Sequence, residues 1–373
     1  MSARHTDVAI VGGGIMGACA AFALRRMGIG VTLIERDACG SRASGVNYGG
    51  VRRQGRPPSQ LPLSQRAHAI WSRLPELIGI DGEYVRSGHL KLARSEADLA
   101  SLESYRAKTL DFGLDLQMLS RSEVHARYPW LGDAVAGGSL CPGDGHANPR
   151  LVSPAFARAA QRLGATIHEH TTVEEVAHDG TRFVVRAKAL EVHAAVLLNC
   201  AGAWARQLAI RFGEDVPMVS ANPSMLVTEP MPPLIDVNLG VEGGGLYARQ
   251  VARGNCVIGG ARGHPLDAQR SRPGSDAIAT IARQAVEIVP RLRKSWIIRT
   301  WSGTEGYLPD RLPVLGPSGT TPGLFHAFGF SGAGFQIGPA VGEVLAELVR
   351  DGRSTTPIDA FSIFRFAAST REE

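Results

Sequence analysis

The chain has 373 residues, 44% of them hydrophobic and 20% charged, which predicts a soluble globular protein of two domains. A net charge of +5 is small for this length, and the arginines are scattered beside only four lysines (Lys91, Lys108, Lys188 and Lys294), so a nucleic-acid surface is not indicated. Five cysteines (Cys19, Cys39, Cys141, Cys200 and Cys256) form no C-x-x-C pair, which argues for reduced thiols in a cytoplasmic protein and against a zinc site.

The apolar run Val8 to Val11 suits a buried first strand and is too short to span a membrane. The residues before it are polar, so no signal peptide is expected. Gly12, Gly14 and Gly17 follow as G-x-G-x-x-G, then a helical pattern from Ile15 to Met27, a strand from Val31 to Ile34, and Glu35. In this setting one glycine makes the turn, one admits a pyrophosphate and one lets the helix lie close on the strands. The helix start offers N–H groups to phosphates, and Glu35, about 20 residues on, can accept from ribose hydroxyls. The stretch predicts dinucleotide binding.

The segment after Glu35 is rich in Gly, Ser and Arg and predicts a loop at the carboxyl end of a parallel sheet, where ligands lie. Ser44, Asn47, Gly49 and Gly50 offer hydroxyl, amide and bare backbone, and Arg52 and Arg53 offer charge. A helix is expected over Ser64–Leu74, stopped near Pro75, then a strand over Tyr84–Ala93 and helices over Glu96–Phe112 and Ser120–Arg127. Further on come a helix over Val152–Leu163, a strand over Ala165–His168, and a hairpin of Val173–Val176 with Phe183–Ala187. A buried strand, His193–Leu198, leads to a second edge of the nucleotide site at Ala201 and Gly202, with Trp204 opening a helix. His146, His168 and His170 have no metal-like spacing and suit turns and surface.

From Val216 to Arg299 turn prolines, strands at Gly245–Arg249 and Asn255–Gly259, and a helix at Ser275–Val289 suggest an antiparallel sheet covering the substrate. Near the C-terminus, strand Leu324–Phe328, a turn at Gly329, Gly332 and Gly334, and helix Gly338–Val349 repeat the strand–glycine turn–helix pattern. A nicotinamide enzyme has no need of this second turn. A flavin does, because a helix N-terminus favours the anionic reduced ring.

The motifs VGGGIMG, ASGVNYGGVRR, GDGHANP, NCAGAWA, RTWSG…LPDRLPVLGP and GFSGAGF together resemble the FAD-dependent amino-acid and amine oxidoreductases that include D-amino acid oxidase, glycine oxidase and sarcosine oxidase. The β-subunits of bacterial opine and D-hydroxyproline dehydrogenases are closest in style, and the hydrogen cyanide synthase flavin subunit is also similar. The resemblance spans nearly the whole chain. It implies an α/β fold: a Rossmann-like FAD-binding domain with a parallel sheet (1–83, 146–215 and 300–373) and an antiparallel-sheet substrate domain (84–145 and 216–299). FAD would touch Gly12, Gly14, Ile15, Met16, Gly17, Glu35, Arg36, Ser44, Asn47, Gly49, Gly50, Val173, Ala201, Gly202, Gly332, Gly334, Phe335 and Gln336. Arg52 would lie near the flavin ring, and hydride would pass from a Cα–H beside an amine to flavin N5, leaving an imine for water to hydrolyse.

Three departures from that family pattern carry expectations. GTEGYLPD holds no cysteine where sarcosine-oxidase-like members attach flavin, so FAD is expected to be non-covalent. Glu305 stands where W-x-G-x-R-P places a carboxylate-binding arginine, so it would bind a substrate cation, and Arg249 or Arg53 would hold the carboxylate. No lysine lies in the glycine-rich segments, which points to a dehydrogenase that passes electrons to a partner subunit or quinone, with an oxidase or an electron-transfer subunit as alternatives. Arg52, Tyr247 and Glu305 are the expected catalytic residues, with Tyr48 and Tyr247 as pocket walls, no metal, and an amino acid or amine as substrate. The expected location is cytoplasmic, with membrane association only through a partner.

Overall fold

The structure, a computed structural model, describes residues 4–366. Its first sheet runs Val314–Pro317, Leu324–Phe328, Leu190–Asn199, Arg4–Val11, Val31–Ile34, Thr166–His168. The pairs from Leu324–Phe328 to Thr166–His168 are all parallel, and Val314–Pro317 adds an antiparallel edge. Val8, Ala9 and Ile10 are fully buried, as a parallel strand covered on both faces requires. The expected hairpin forms from Val173–His178 and Phe183–Ala187 and pairs with the first half of Leu190–Asn199.

Helix Ile15–Arg26 packs against the C-terminal helix Gly334–Asp351 and against Pro149–Arg162. Small residues permit the approach. A Cβ on Gly342 would lie 2.4 Å from the Cys19 carbonyl carbon, and one on Gly17 would lie 1.9 Å from the Gly12 carbonyl oxygen. The third glycine of the first motif is therefore a packing residue.

Several boundaries differ from expectation. Pro75 opens a second short helix, Leu74–Ile78, where it needs no N–H, and does not merely stop Leu61–Trp71. The strand near Tyr84 begins only at His89, and the C-terminal helix begins at Gly334, ahead of Pro339. His146 is buried in the short strand Gly145–His146, not in a surface turn.

The second sheet runs Ile297–Ser302, Pro223–Pro230, Asn255–Arg262, Tyr247–Gln250, Asn238–Val241, His89–Ala93, Gly137–Cys141, Gln117–Leu119. All neighbours are antiparallel except Asn238–Val241 with His89–Ala93. On one side Leu90, Leu92, Leu226 and Ile258 share a core with Ile281, Ala285 and Ile288 of helix Ser275–Ile288. On the other, register aligns Met225, Gly259, Tyr247, Gly240 and Lys91 in one row across five strands. Alternation along His89–Ala93 puts Leu90 and Leu92 in the core and leaves His89 and Lys91 to the opposite face.

Candidate active site

The parallel strands end at Val11, Ile34, Asn199 and Phe328, and the residues just beyond them line two adjoining cavities. This is where an open α/β sheet places its ligands. The inner cavity, about 390 Å³, is bounded by Gly12, Gly14, Glu35, Arg36, Ser44, Val173, Ala201 and Gly202, with Trp204 beside them. The outer cavity, about 330 Å³, shares Gly14, Ser44, Cys200 and Gly202 with the inner one, so the two form one cleft. It adds Ile15, Met16, Asn47, Gly49, Gly50, Gly332, Gly334 and Phe335, and it reaches the Met225–Lys91 row of the second sheet.

Residues 7–348 match the family model described as DAO, FAD dependent oxidoreductase. The chain belongs to this family. It is an FAD-dependent oxidoreductase acting on the C–N bond of amino acids or amines. It is 29% identical over 367 residues to glycine oxidase of Geobacillus kaustophilus, covering 96% of this chain and 97% of that protein. It is 27% identical to an opine oxidase subunit of Rhizobium meliloti, covering 99% of this chain and 100% of that protein. The crystal structure of the G. kaustophilus glycine oxidase superposes with a TM-score of 0.91 at 28% identity, covering 97% of this chain and 99% of that one. The crystal structure of L-proline dehydrogenase from P. horikoshii gives a TM-score of 0.91 at 25% identity, covering 99% of each chain.

The cleft fits FAD on its own geometry. Both helix starts that open onto it, Ile15 after Gly14 and Gly334 after Ala333, lack an acidic residue in the first turn and a side-chain bond from their own N-cap residue. Each therefore leaves positive dipole facing the cleft. Gly202, at φ +59°, has open space where a Cβ would stand, so its bare backbone faces the cavity. Glu35 braces the first turn: its carboxylate accepts from Gly13 N at 2.6 Å and Asp37 N at 2.9 Å. The Ser44 hydroxyl accepts from Ile15 N at 2.8 Å. The Arg36 guanidinium stacks on the Trp204 ring at 3.7 Å, a partner not anticipated from the sequence.

Two of the residues expected at FAD do not line the cleft. Gly17 is covered by Gly12, and Gln336 is fully buried and donates to Ser64 O at 2.9 Å. The other sixteen line one cavity or both.

Arg52, Tyr247, Glu305 and Tyr48 all line the outer cavity. Tyr247 packs edge-on to Tyr48, ring centres 4.8 Å apart, and Tyr48 donates to Asn238 Oδ1. Gly259 makes the room, since a Cβ there would lie 2.3 Å from the Tyr247 ring. Tyr307 donates to Glu305 Oε2 at 3.0 Å, beside the Gly332 turn. Glu305 is partly buried and lines the cavity; burial raises its carboxyl above the usual range, partly opposed by the Tyr307 hydrogen bond and by Arg262.

Neither arginine expected to hold a carboxylate reaches the cavity. Arg53 is spent on Asp144 at 2.9 Å and Gln65 at 2.8 Å, and Arg249 donates to Tyr48 O at 2.8 Å beneath the tyrosine ring. In their place stands Arg56, which with His89 and Lys91 lines the outer cavity near Arg52. Lys91 is ion-paired with Glu242. Burial, then the Arg52 charge, brings the Arg56 guanidinium down to about 9, so it stays charged at neutral pH. Burial, with Arg52, Lys91 and Arg56 around it, lowers His89 well below its usual range and keeps it neutral. Alternation on His89–Ala93 was a signal for Lys91. Nothing local marked Arg56.

Proposed function

We propose that this chain is a dehydrogenase for a secondary-amine amino acid, such as an opine, D-hydroxyproline or an N-alkyl glycine. One observation carries the reading: a single cavity is lined by both helix starts and by Arg52, Tyr247 and Glu305. Bound FAD supplies the acceptor for the hydride leaving the carbon beside the amine. The amine gives up its N–H proton, the C–N bond becomes C=N, and water then splits that imine to carbonyl compound and amine. The protein's part is to orient and to exclude water. Arg52 holds the carboxylate, Tyr48 and Tyr247 wall the reacting carbon, and the Glu305–Tyr307 pair faces the amine. Burial disfavours the charged form of Glu305, which weakens its hold on the amine as a cation.

FAD is held non-covalently in this reading. Cys200 is the only cysteine among the described cavity-lining residues, and burial pushes its thiol up to about 12, leaving no thiolate for attachment. The two sheets support a division into an FAD-binding domain (1–83, 146–215 and 300–373) and a substrate domain (84–145 and 216–299). Electrons would leave to a partner subunit or quinone, and the relatives that are opine oxidase subunits support such a partner. A cytoplasmic location goes with this reading; among the described residues no helix is long and apolar enough to cross a membrane. An oxidase is the second reading, favoured by Lys91, a lysine in the outer cavity that was not expected from the sequence. Its pairing with Glu242 weighs against that role.

The test is anaerobic. The visible spectrum of the purified protein is recorded while D-amino acids, secondary amino acids and opines are added singly. A secondary amino acid should bleach the flavin bands, and colour should return slowly in air; rapid return identifies the oxidase. Arg52→Ala and Glu305→Ala should abolish bleaching. Retention of bleaching in both would remove these two residues from the chemistry, and a flavin that no compound on the panel bleaches would leave this chain an electron carrier or one that needs a partner.

A further inference from the structure

Arg52 and Arg56 stand on one loop and line the outer cavity together, and among the described residues neither forms an ion pair. Arg56 is 6% exposed, and its Nε has no hydrogen-bond partner. Among the described residues Arg52 donates only to the Gln54 carbonyl. The carboxylate whose charge reaches both is Asp144. It is already engaged by Arg53 N, Gln54 N and Arg53 Nε, each at 2.9 Å. Lys91 stands beside Arg52 and is matched by Glu242. The cluster thus holds four cations (Arg52, Arg53, Arg56 and Lys91) against two carboxylates (Asp144 and Glu242). Among the described residues two guanidinium charges, Arg56 buried and Arg52 partly buried, lack a counterion, an arrangement that costs stability unless an anion supplies the missing partner.

The sheet sets the scale. Tyr247 and Lys91 lie on the row two strand spacings apart, about 10 Å, with Gly240 between them and the His89 imidazole lying over it. A small molecule with two carboxylates fits that span, and planar guanidinium forks suit carboxylates.

We propose that Arg52 and Arg56 form a dianion subsite, and that the substrate is a secondary amine carrying two carboxylates, an iminodicarboxylate, with its nitrogen towards Glu305. This rests on the amine-oxidising reading above and deepens it. The subsite explains how Glu305 can replace an arginine without loss of carboxylate binding, because the acidic arms are held from the opposite end of the row.

The test uses the FAD-loaded protein and ligands that cannot form an imine. Thiodiacetate has sulfur in place of the amine and two carboxylates; (methylthio)acetate keeps one. Each is titrated against the flavin difference spectrum. Thiodiacetate should bind at least tenfold more tightly. Arg56→Gln should remove most of that advantage and leave (methylthio)acetate nearly unchanged, and Arg56→Lys should restore part of it. Equal affinity of the two acids for the unmodified protein overturns the subsite, as does an advantage that survives Arg56→Gln. If Arg56→Gln loses its flavin, the unmodified protein and Arg56→Lys still decide.

Iminodiacetate and N-methylglycine, added without oxygen, separate the two levels. Bleaching by both with no preference for two carboxylates sinks the subsite and keeps the amine reading. Preferential thiodiacetate binding with no bleaching by any amine keeps the subsite and sinks that reading.

Discussion

The inner and outer cavities adjoin, yet they are built on opposite plans. The inner one is made of backbone: glycines, strand ends and a helix start, drawn mostly from residues 11–44 and 171–211. The outer one sets glycine turns and both helix starts against side chains from distant parts of the chain, with Arg56, Lys91, Tyr247 and Glu305 brought from four separate segments, Lys91 and Tyr247 by the register of the second sheet. A phosphate can be met by bare N–H groups anywhere a helix begins, so the first plan is local. A substrate must be met by particular groups at particular distances, so the second depends on contacts across hundreds of residues.

Damage to each plan should be separable. The largest effect is expected from Gly17→Val. Its Cβ would have to occupy a point 1.9 Å from the Gly12 carbonyl oxygen, so the helix must lift from the strands. We expect a protein purified without flavin and a stability loss of about 3 kcal/mol or more, read from thermal unfolding. A yellow Gly17→Val protein of ordinary stability would show that the close crossing is dispensable.

The counterpart on the other side is Gly259→Ala. The new methyl would press on the Tyr247 ring at 2.3 Å and drive it towards the cavity. Flavin should be retained, about 2 kcal/mol of stability lost, and KM for the bleaching amine raised. Loss of flavin instead would mean that the two cavities are not independent.

This contrast also explains what was legible in the sequence. Val8 to Glu35 could be read almost residue by residue, because strand, turn, helix and acid follow one another in the chain and each glycine has a steric reason nearby. The Gly332–Phe335 turn was legible for the same reason. Even there Gly17 and Gln336, expected at the cofactor, line neither cavity and pack against Gly12 and Ser64, since motif spacing does not say which way a residue faces. The strands Gly137–Cys141, Pro223–Pro230 and Asn238–Val241, marked by glycines or prolines, went unseen, as did Ile297–Ser302, a mostly exposed edge strand without apolar–polar alternation. Without them the row from Met225 to Lys91 could not be drawn. Arg53 and Arg56 look alike in VRRQGR. What separates them is Asp144, 91 residues beyond Arg53, which takes one and leaves the other.

A smaller effect tests a fastening of the cofactor half remote from either cavity. Arg66 of helix Leu61–Trp71 pairs with Glu347 of the C-terminal helix at 2.7 Å, and Thr355 N donates to the same carboxylate at 3.0 Å. Against the burial that raises it, these contacts hold Glu347 down from 4.5 to about 2. A carboxyl lowered by folding stabilises above its unfolded value and ceases to as pH falls through the folded one. Unfolding temperature should therefore drop between about pH 4.5 and 2. Glu347→Gln should flatten that part of the profile, at a cost of about 1.5 kcal/mol at neutral pH. An unchanged acid limb would assign the fall to other carboxylates.

The smallest expected effect lies on the seam. Tyr48 belongs to the loop that follows the first nucleotide unit, and its hydroxyl donates to Asn238 of the second sheet. Asn238 in turn donates to Gly145 O at 2.7 Å, so the pair ties the loop to the sheet and sets the tilt of Tyr48 over Tyr247. Tyr48→Phe keeps the ring and removes the bond. The fold should lose about 1 kcal/mol, with flavin content unchanged. If the bond only fastens, bleaching rate by the substrate should stay within twofold. If it also fixes where the reacting carbon sits, that rate should fall further while the affinity for thiodiacetate holds, because the proposed anion subsite does not use this hydroxyl, which is spent on Asn238. The ratio of those two readouts in one variant measures how far the plan of backbone and the plan of side chains depend on each other.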